Sequence, residues 1–198
     1  MMLSEVAAVP QTALPIAEFK DHLRLGTGFA DDGAEDALAE SYLRAAIAAV
    51  EGRIGKALIA RDFLLVLERW RWPDSHALPV APVSGVISVT TVDRGTNAVL
   101  IDPSRYRLVI DIDRPRLVAT GSILPGVPVG GTVEVVFTAG FGRSWIDVPP
   151  DLAQAVFLLA AQYHELRNES GAADAMPFGV MALIERWRTV RVLGGGAA

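Results

Sequence analysis

The apolar pattern of this chain changes period twice, and those two changes limit its fold more than any other feature. Up to Gly55, and again from Pro149, apolar residues recur at helical spacing; between them they alternate as in half-buried strands. Ile16, Phe19 and Leu23 fall at i, i+3 and i+7, one stripe of a short helix ended by Gly26 and Gly28. Asp32 followed by Glu35 has capping-box spacing, in an Asp variant, and predicts a longer helix to about Ile54. Two adjacent stripes run along it, Leu38, Tyr42, Ala45 and Ala49 beside Leu43, Ile47, Val50 and Ile54, which predicts a broad buried face. After Pro149 and Pro150, which suit a first helical turn because their missing amide hydrogens would have no partner there, Leu152, Val156, Leu159, Tyr163 and Leu166 keep an unbroken seam. Asn168 to Ala175 reads as a polar loop. Met176-Pro177 opens a last helix with Val180, Leu183, Ile184 and Trp187 on one face.

Between the helices, Phe63, Leu65 and Leu67 alternate with Leu64, Val66 and Glu68, and a link containing Pro73, Pro79 and Pro82 follows. Val86 to Val92 and Ala98 to Ile101 flank the turn Asp93-Arg94-Gly95-Thr96-Asn97, and Tyr106 to Ile110 and Arg116 to Ala119 flank Asp111 to Pro115, giving two hairpins. Thr132 to Ala139, with Val133, Val135 and Phe137 on one face, is the clearest strand. The predicted class is therefore α+β, a helical bundle of N- and C-terminal helices with an inserted small antiparallel β-sheet. The expected parts are an N-terminal helical part (1–60), a β insertion (61–146) and a C-terminal part (147–198), with 1–60 and 147–193 forming one domain.

A length of 198 residues suits one domain with such an insertion. The net charge of -5 and pI near 5.2 argue against a chain that coats nucleic acid, since that binding rests on neutralising phosphates. There is no Cys, which excludes disulfides and thiolate metal sites. The first twenty residues lack the pattern of a signal peptide, and the longest apolar run, Ala155 to Ala161, is too short to cross a bilayer. The chain reads as soluble and not exported by a signal of its own.

Convergent chemistry is poor. His22, His76 and His164 are far apart, and His164-Glu165 lacks the second His that a helical zinc motif places four residues on. Gly26-Thr27-Gly28 follows a helix rather than a strand, and Gly140-Phe141-Gly142-Arg143 precedes Pro149-Pro150, so both read as chain reversals rather than phosphate loops. Asn168-Glu169-Ser170 matches a glycosylation acceptor without a secretory signal, and Asp31-Asp32 reads as helix capping. No catalytic, cofactor-binding or metal-binding residue is assigned.

The C-terminus breaks its own pattern. At 100° per residue Arg191 returns to the stripe of Val180, Ile184 and Trp187, while Val192 and Leu193 point away from it. Two accounts fit: a frayed end, or a segment from about residue 186 that docks into another chain, with Trp187 as anchor and Arg186, Arg188 and Arg191 pairing with carboxylates.

The order of motifs carries a resemblance. Ala17-Glu18-Phe19-Lys20-Asp21-His22-Leu23-Arg24, an acidic loop, Glu51-Gly52-Arg53-Ile54-Gly55-Lys56-Ala57-Leu58, strands, Phe137-Thr138-Ala139-Gly140-Phe141-Gly142, Val148-Pro149-Pro150-Asp151-Leu152, Tyr163-His164-Glu165-Leu166-Arg167, Met176-Pro177-Phe178-Gly179-Val180 and an Arg-rich final helix resemble the head-tail connector (adaptor) proteins of tailed phages. The closest likeness is to the branch in prophages and alphaproteobacterial gene transfer agents, over about residues 15 to 191. The resemblance implies a non-enzymatic, cofactor-free ring under the portal protein, twelvefold to match it, in the neck of a virion or phage-like particle assembled in the bacterial cytoplasm. The ring would extend the DNA channel without sequence-specific binding, contact no membrane, and hold the next neck, stopper or tail protein. It also implies a portal-docking tail, carried here by Arg186, Trp187, Arg188, Val190, Arg191, Val192 and Leu193. Val180 to Ile184 would stay in the subunit's own core. The mean hydropathy of +0.33 suits a surface partly covered by neighbours. The rival readings are another neck ring, such as a stopper or tail terminator, and a small hydrolase or ligand-binding domain.

Overall fold

The structure, a computed structural model, describes residues 1–23, 34–166 and 176–188. Over these residues the chain is mixed α and β: β1 (Met2–Glu5), α1 (Ile16–His22), α2 (Ala34–Ile54), β2 (Arg61–Leu67), β3 (Ser75–Ala77), β4 (Val83–Val92), β5 (Ala98–Leu100), β6 (Tyr106–Val109), β7 (Arg116–Ala119), β8 (Thr132–Ala139), α3 (Pro150–Glu165) and α4 (Phe178–Ile184). The expected caps and turns at Gly26, Gly28, Asp31 and Asp32, and the loop expected at 168–175, lie outside the described residues.

The strands form two antiparallel sheets where one was expected. The larger has the order β1-β2-β8-β4-β5, and the smaller β3-β7-β6. Both predicted hairpins form, β4 with β5 and β6 with β7. Alternation decides which face is buried: Phe63, Leu65 and Leu67 of β2 and Val133, Val135 and Phe137 of β8 point into one core, where Phe63 and Phe137 stack at 5.8 Å. Leu117 and Tyr106 of the smaller sheet join the same cluster. Two strands were missed. All four residues of β1 are exposed, so its edge position leaves no alternating signature, and β3 is three residues inside the Pro-rich link.

A second core holds the helices. Phe19 of α1, Leu43, Val50 and Ile54 of α2, Leu152, Val156 and Leu159 of α3, and Val180 and Ile184 of α4 are all buried in it. The two stripes predicted on α2 differ in depth, and the one through Leu38 is split: Tyr42 and Ala49 are half-buried against the helical core. Leu43, Ile47, Val50 and Ile54 are buried, whereas Leu38 is 43% exposed and Ala45 is exposed. The helix is rich in Ala, and small side chains give a periodicity argument little contrast.

The two cores meet where α2 hands over to β2. Gly55 has φ 70°, the left-handed conformation that ends a helix without a Cβ clash. On one side of this junction Arg61, itself nearly buried, donates to both oxygens of Glu51 (2.7 and 3.0 Å) and to Glu5 of β1 (2.7 Å). The reversal after β8 is pressed against it: a Cβ on Gly140 would lie 2.4 Å from the Ala60 backbone, and Ala60 N–H donates to the Gly142 carbonyl at 2.6 Å. The Gly-Phe-Gly segment is thus a close backbone approach. Leu152→Ala should destabilise by about 2–5 kcal/mol, and Leu38→Ala by about 0.5 kcal/mol or less, in urea unfolding followed by circular dichroism; equal losses would mean that both stripes of α2 are core.

Candidate functional site

The final helix does not run on to Arg191. α4 stops at Ile184, a single 3-10 turn covers Glu185–Trp187, and Arg188 is extended at φ -70°, ψ 130°. The 100° periodicity of α4 is therefore interrupted at residues 185–188. Val190, Arg191, Val192 and Leu193 lie outside the described residues.

Of the proposed docking residues, Trp187 has partners within its own chain. Its indole Nε1 donates to Asp151 Oδ2 at 2.6 Å, and its ring meets Phe141 edge-on at 5.3 Å. It packs against the helical core. Trp187 thus packs on its own subunit, beyond the expected division after Ile184. Arg186 is 69% exposed, pairs with Asp151 at 2.7 Å and lies over the Trp187 ring at 4.9 Å. Arg188 pairs with Glu185 three residues earlier at 3.0 Å. Beside them Pro150, Asp151, Ala182, Leu183 and Arg186 line a shallow open hollow of about 380 Å³.

Asp151 stands in the first turn of α3, where the unpaired amide groups and the helix dipole favour a carboxylate. Burial pushes its pKa up, but the hydrogen bonds from Trp187 and Arg186 and the Arg186 charge outweigh that and hold it below the ordinary carboxylate value.

The residue that sequence reasoning missed is Lys56. Its side chain is 1% exposed, yet its ammonium donates to Asp113 Oδ1 and to the main-chain carbonyl of Trp187, each at 2.7 Å. A buried ammonium is tolerated only with acceptors supplied by the fold. Lys56 thereby joins the end of α2, the tip of the β6–β7 hairpin and the root of the C-terminal segment. One signal was available: of eighteen basic residues only Lys20 and Lys56 are lysine. A compact ammonium fits a point-like site where a planar guanidinium does not.

The histidines do not converge. His164 meets Tyr42 edge-on at 5.8 Å, His22 lies against Phe157, and His76 accepts from the Arg71 amide. Burial, with the Arg71 charge, lowers the His76 pKa. Among the described residues no group of three His, Cys, Asp or Glu could hold a metal ion, and no helix is long and apolar enough to cross a membrane.

Comparison with known proteins places this architecture. No protein-family model matches the chain. No curated protein matches it either. Solved structures do. A chain from the neck of an empty GTA particle computed with C6 symmetry is 66% identical, with TM-score 0.89 over 98% of this chain and 99% of that one. A chain from the virion of a native gene transfer agent (GTA) particle is 65% identical, with TM-score 0.86 over the same shares. A chain from the neck of a native GTA particle computed with C12 symmetry is 59% identical, with TM-score 0.84, again over 98% and 99%.

Replacing Asp151 by Asn should cost about 1–2 kcal/mol at pH 7, the scale of hydrogen bonds to a charged group. Because the folded-state pKa is depressed, this contribution is complete above the unfolded value of about 3.9 and is lost as pH falls through the folded value. Urea unfolding of both chains should converge below that range; a constant gap down to the lowest pH would assign the effect to shape rather than charge.

Proposed function

The chain belongs to the neck proteins of gene transfer agent particles, the head-tail connector family that its sequence resembles, and on that premise we propose that it is an adaptor subunit docked to the portal protein by its C-terminal segment. It is a structural component of the particle neck and not an enzyme, and it assembles there as a ring oligomer. The observation that carries this reading is the 66% identity to a neck chain over nearly the whole length of both.

The finer reading goes further. A closed ring makes each subunit use two different patches, one toward each neighbour. Twelve copies would match a twelvefold portal, in keeping with the C12 symmetry used for one matched neck. The helical parts, 1–60 and 147–193, would act as one bundle-like unit and the β insertion, 61–146, as a second; the separation into a helical and a β core supports this. The ring would extend the DNA channel and hold the next neck, stopper or tail protein on its other side. The net charge of -5 suits a channel in which DNA slides, because a basic lining would release counterions and hold it.

Portal docking falls to Arg186, Arg188, Val190, Arg191, Val192 and Leu193, with Trp187 holding the root. Trp187 is fixed to the subunit at the root of the segment, and Arg188 is extended rather than helical. Repeated once per subunit, individually weak tail contacts would hold the ring by effective concentration. A chain cut after Arg188 keeps Trp187 with Asp151, Phe141 and Lys56. It should therefore melt within about 2 °C of the full chain and fail to bind portal-bearing, tailless heads; if heads supplied with the cut chain still acquire tails, portal docking by this segment is wrong.

A further inference from the structure

Lys56 points to a second contact surface. Its ammonium lies 2.7 Å from Asp113 Oδ1 and 2.7 Å from the Trp187 carbonyl, so the β6–β7 tip and the root of the C-terminal segment sit on either side of one buried charge. The tip is shaped to present Asp113. Asp111 accepts from the amides of Asp113 and Arg114, both at 2.7 Å, which folds the loop on itself and turns the next carboxylate toward Lys56. The same loop leaves two isoleucines in water, Ile110 at 72% and Ile112 at 51% exposure. Large apolar side chains on a well-fixed loop are inexpensive to bury, because little conformational freedom remains to be lost.

We infer that the β6–β7 tip is a second element of the portal-docking surface and that Lys56 is the positioning residue that holds tip and tail root together. The inference rests on the portal reading above. The tip and the Trp187 carbonyl at the root of the C-terminal segment lie within hydrogen-bond reach of the same ammonium, so a partner that engages the segment at its root meets the tip close by. The occupant is the portal, which would cover the isoleucines and face the arginines with carboxylates.

The test uses the full chain and portal-bearing, tailless heads. Ile110→Ser combined with Ile112→Ser alters only exposed side chains. This variant should melt like the parent yet bind heads at least about fivefold more weakly. Asp113→Asn leaves Trp187 bonded to Asp151 but weakens the far arm of the node. It should speed hydrogen exchange at the Trp187 indole by at least about threefold and weaken binding in parallel, a transmitted effect that a purely local loop role would not produce. If the double isoleucine variant binds like the parent, or Asp113→Asn changes neither exchange nor binding, while the chain cut after Arg188 has lost binding, this inference is wrong and the portal reading stands. If the cut chain binds as well as the parent, both are wrong.

Discussion

A lysine ammonium shut away from water is the constraint around which this subunit is arranged. Lys56 follows Gly55, at the point where helical periodicity gives way to strands. A hairpin tip 57 residues further on and a carbonyl 131 residues further on are both delivered to its buried ammonium. The Glu51–Arg61–Glu5 cluster seals the neighbouring side of the same junction and ties in the first strand. Helical core and β core are thus joined by charged groups whose partners come from across the chain. Each of those partners fixes one element: β1, the β6–β7 hairpin or the C-terminal segment.

Such a junction suits a neck component. A ring in a particle neck needs subunits that keep their shape under load. Here Trp187 is held by Asp151 at the start of α3, by Phe141 from the reversal after β8, and by Lys56 through its carbonyl. The fixing of Trp187 thus draws on the end of α2 as well as on the region of residues 141–151.

The sequence made the regular interior legible. The seam of α3, the alternation of β2 and β8 and both hairpins follow from periodicity, and the family follows from the order of motifs rather than from any one of them. What stayed hidden was non-local or edge structure. β1 has no alternation because nothing covers either face. On α2 the edge of the buried face, where Leu38 and Ala45 are exposed but Tyr42 and Ala49 pack inward, is blurred because Ala carries little contrast. A helical projection cannot foresee that Lys56, 131 residues away, takes the Trp187 carbonyl and that Asp151 takes its indole. Lys56 itself was visible only as a rare lysine among arginines.

The most direct measurement is a reconstruction of the particle neck at side-chain detail with this chain in place. It should trace the segment from Arg188 into the portal, with Ile110 and Ile112 covered by that same ring. A segment directed to the tail-side neighbour, or a hairpin tip left in solvent while the segment enters the portal, would contradict an assembly in which Lys56 presents both together.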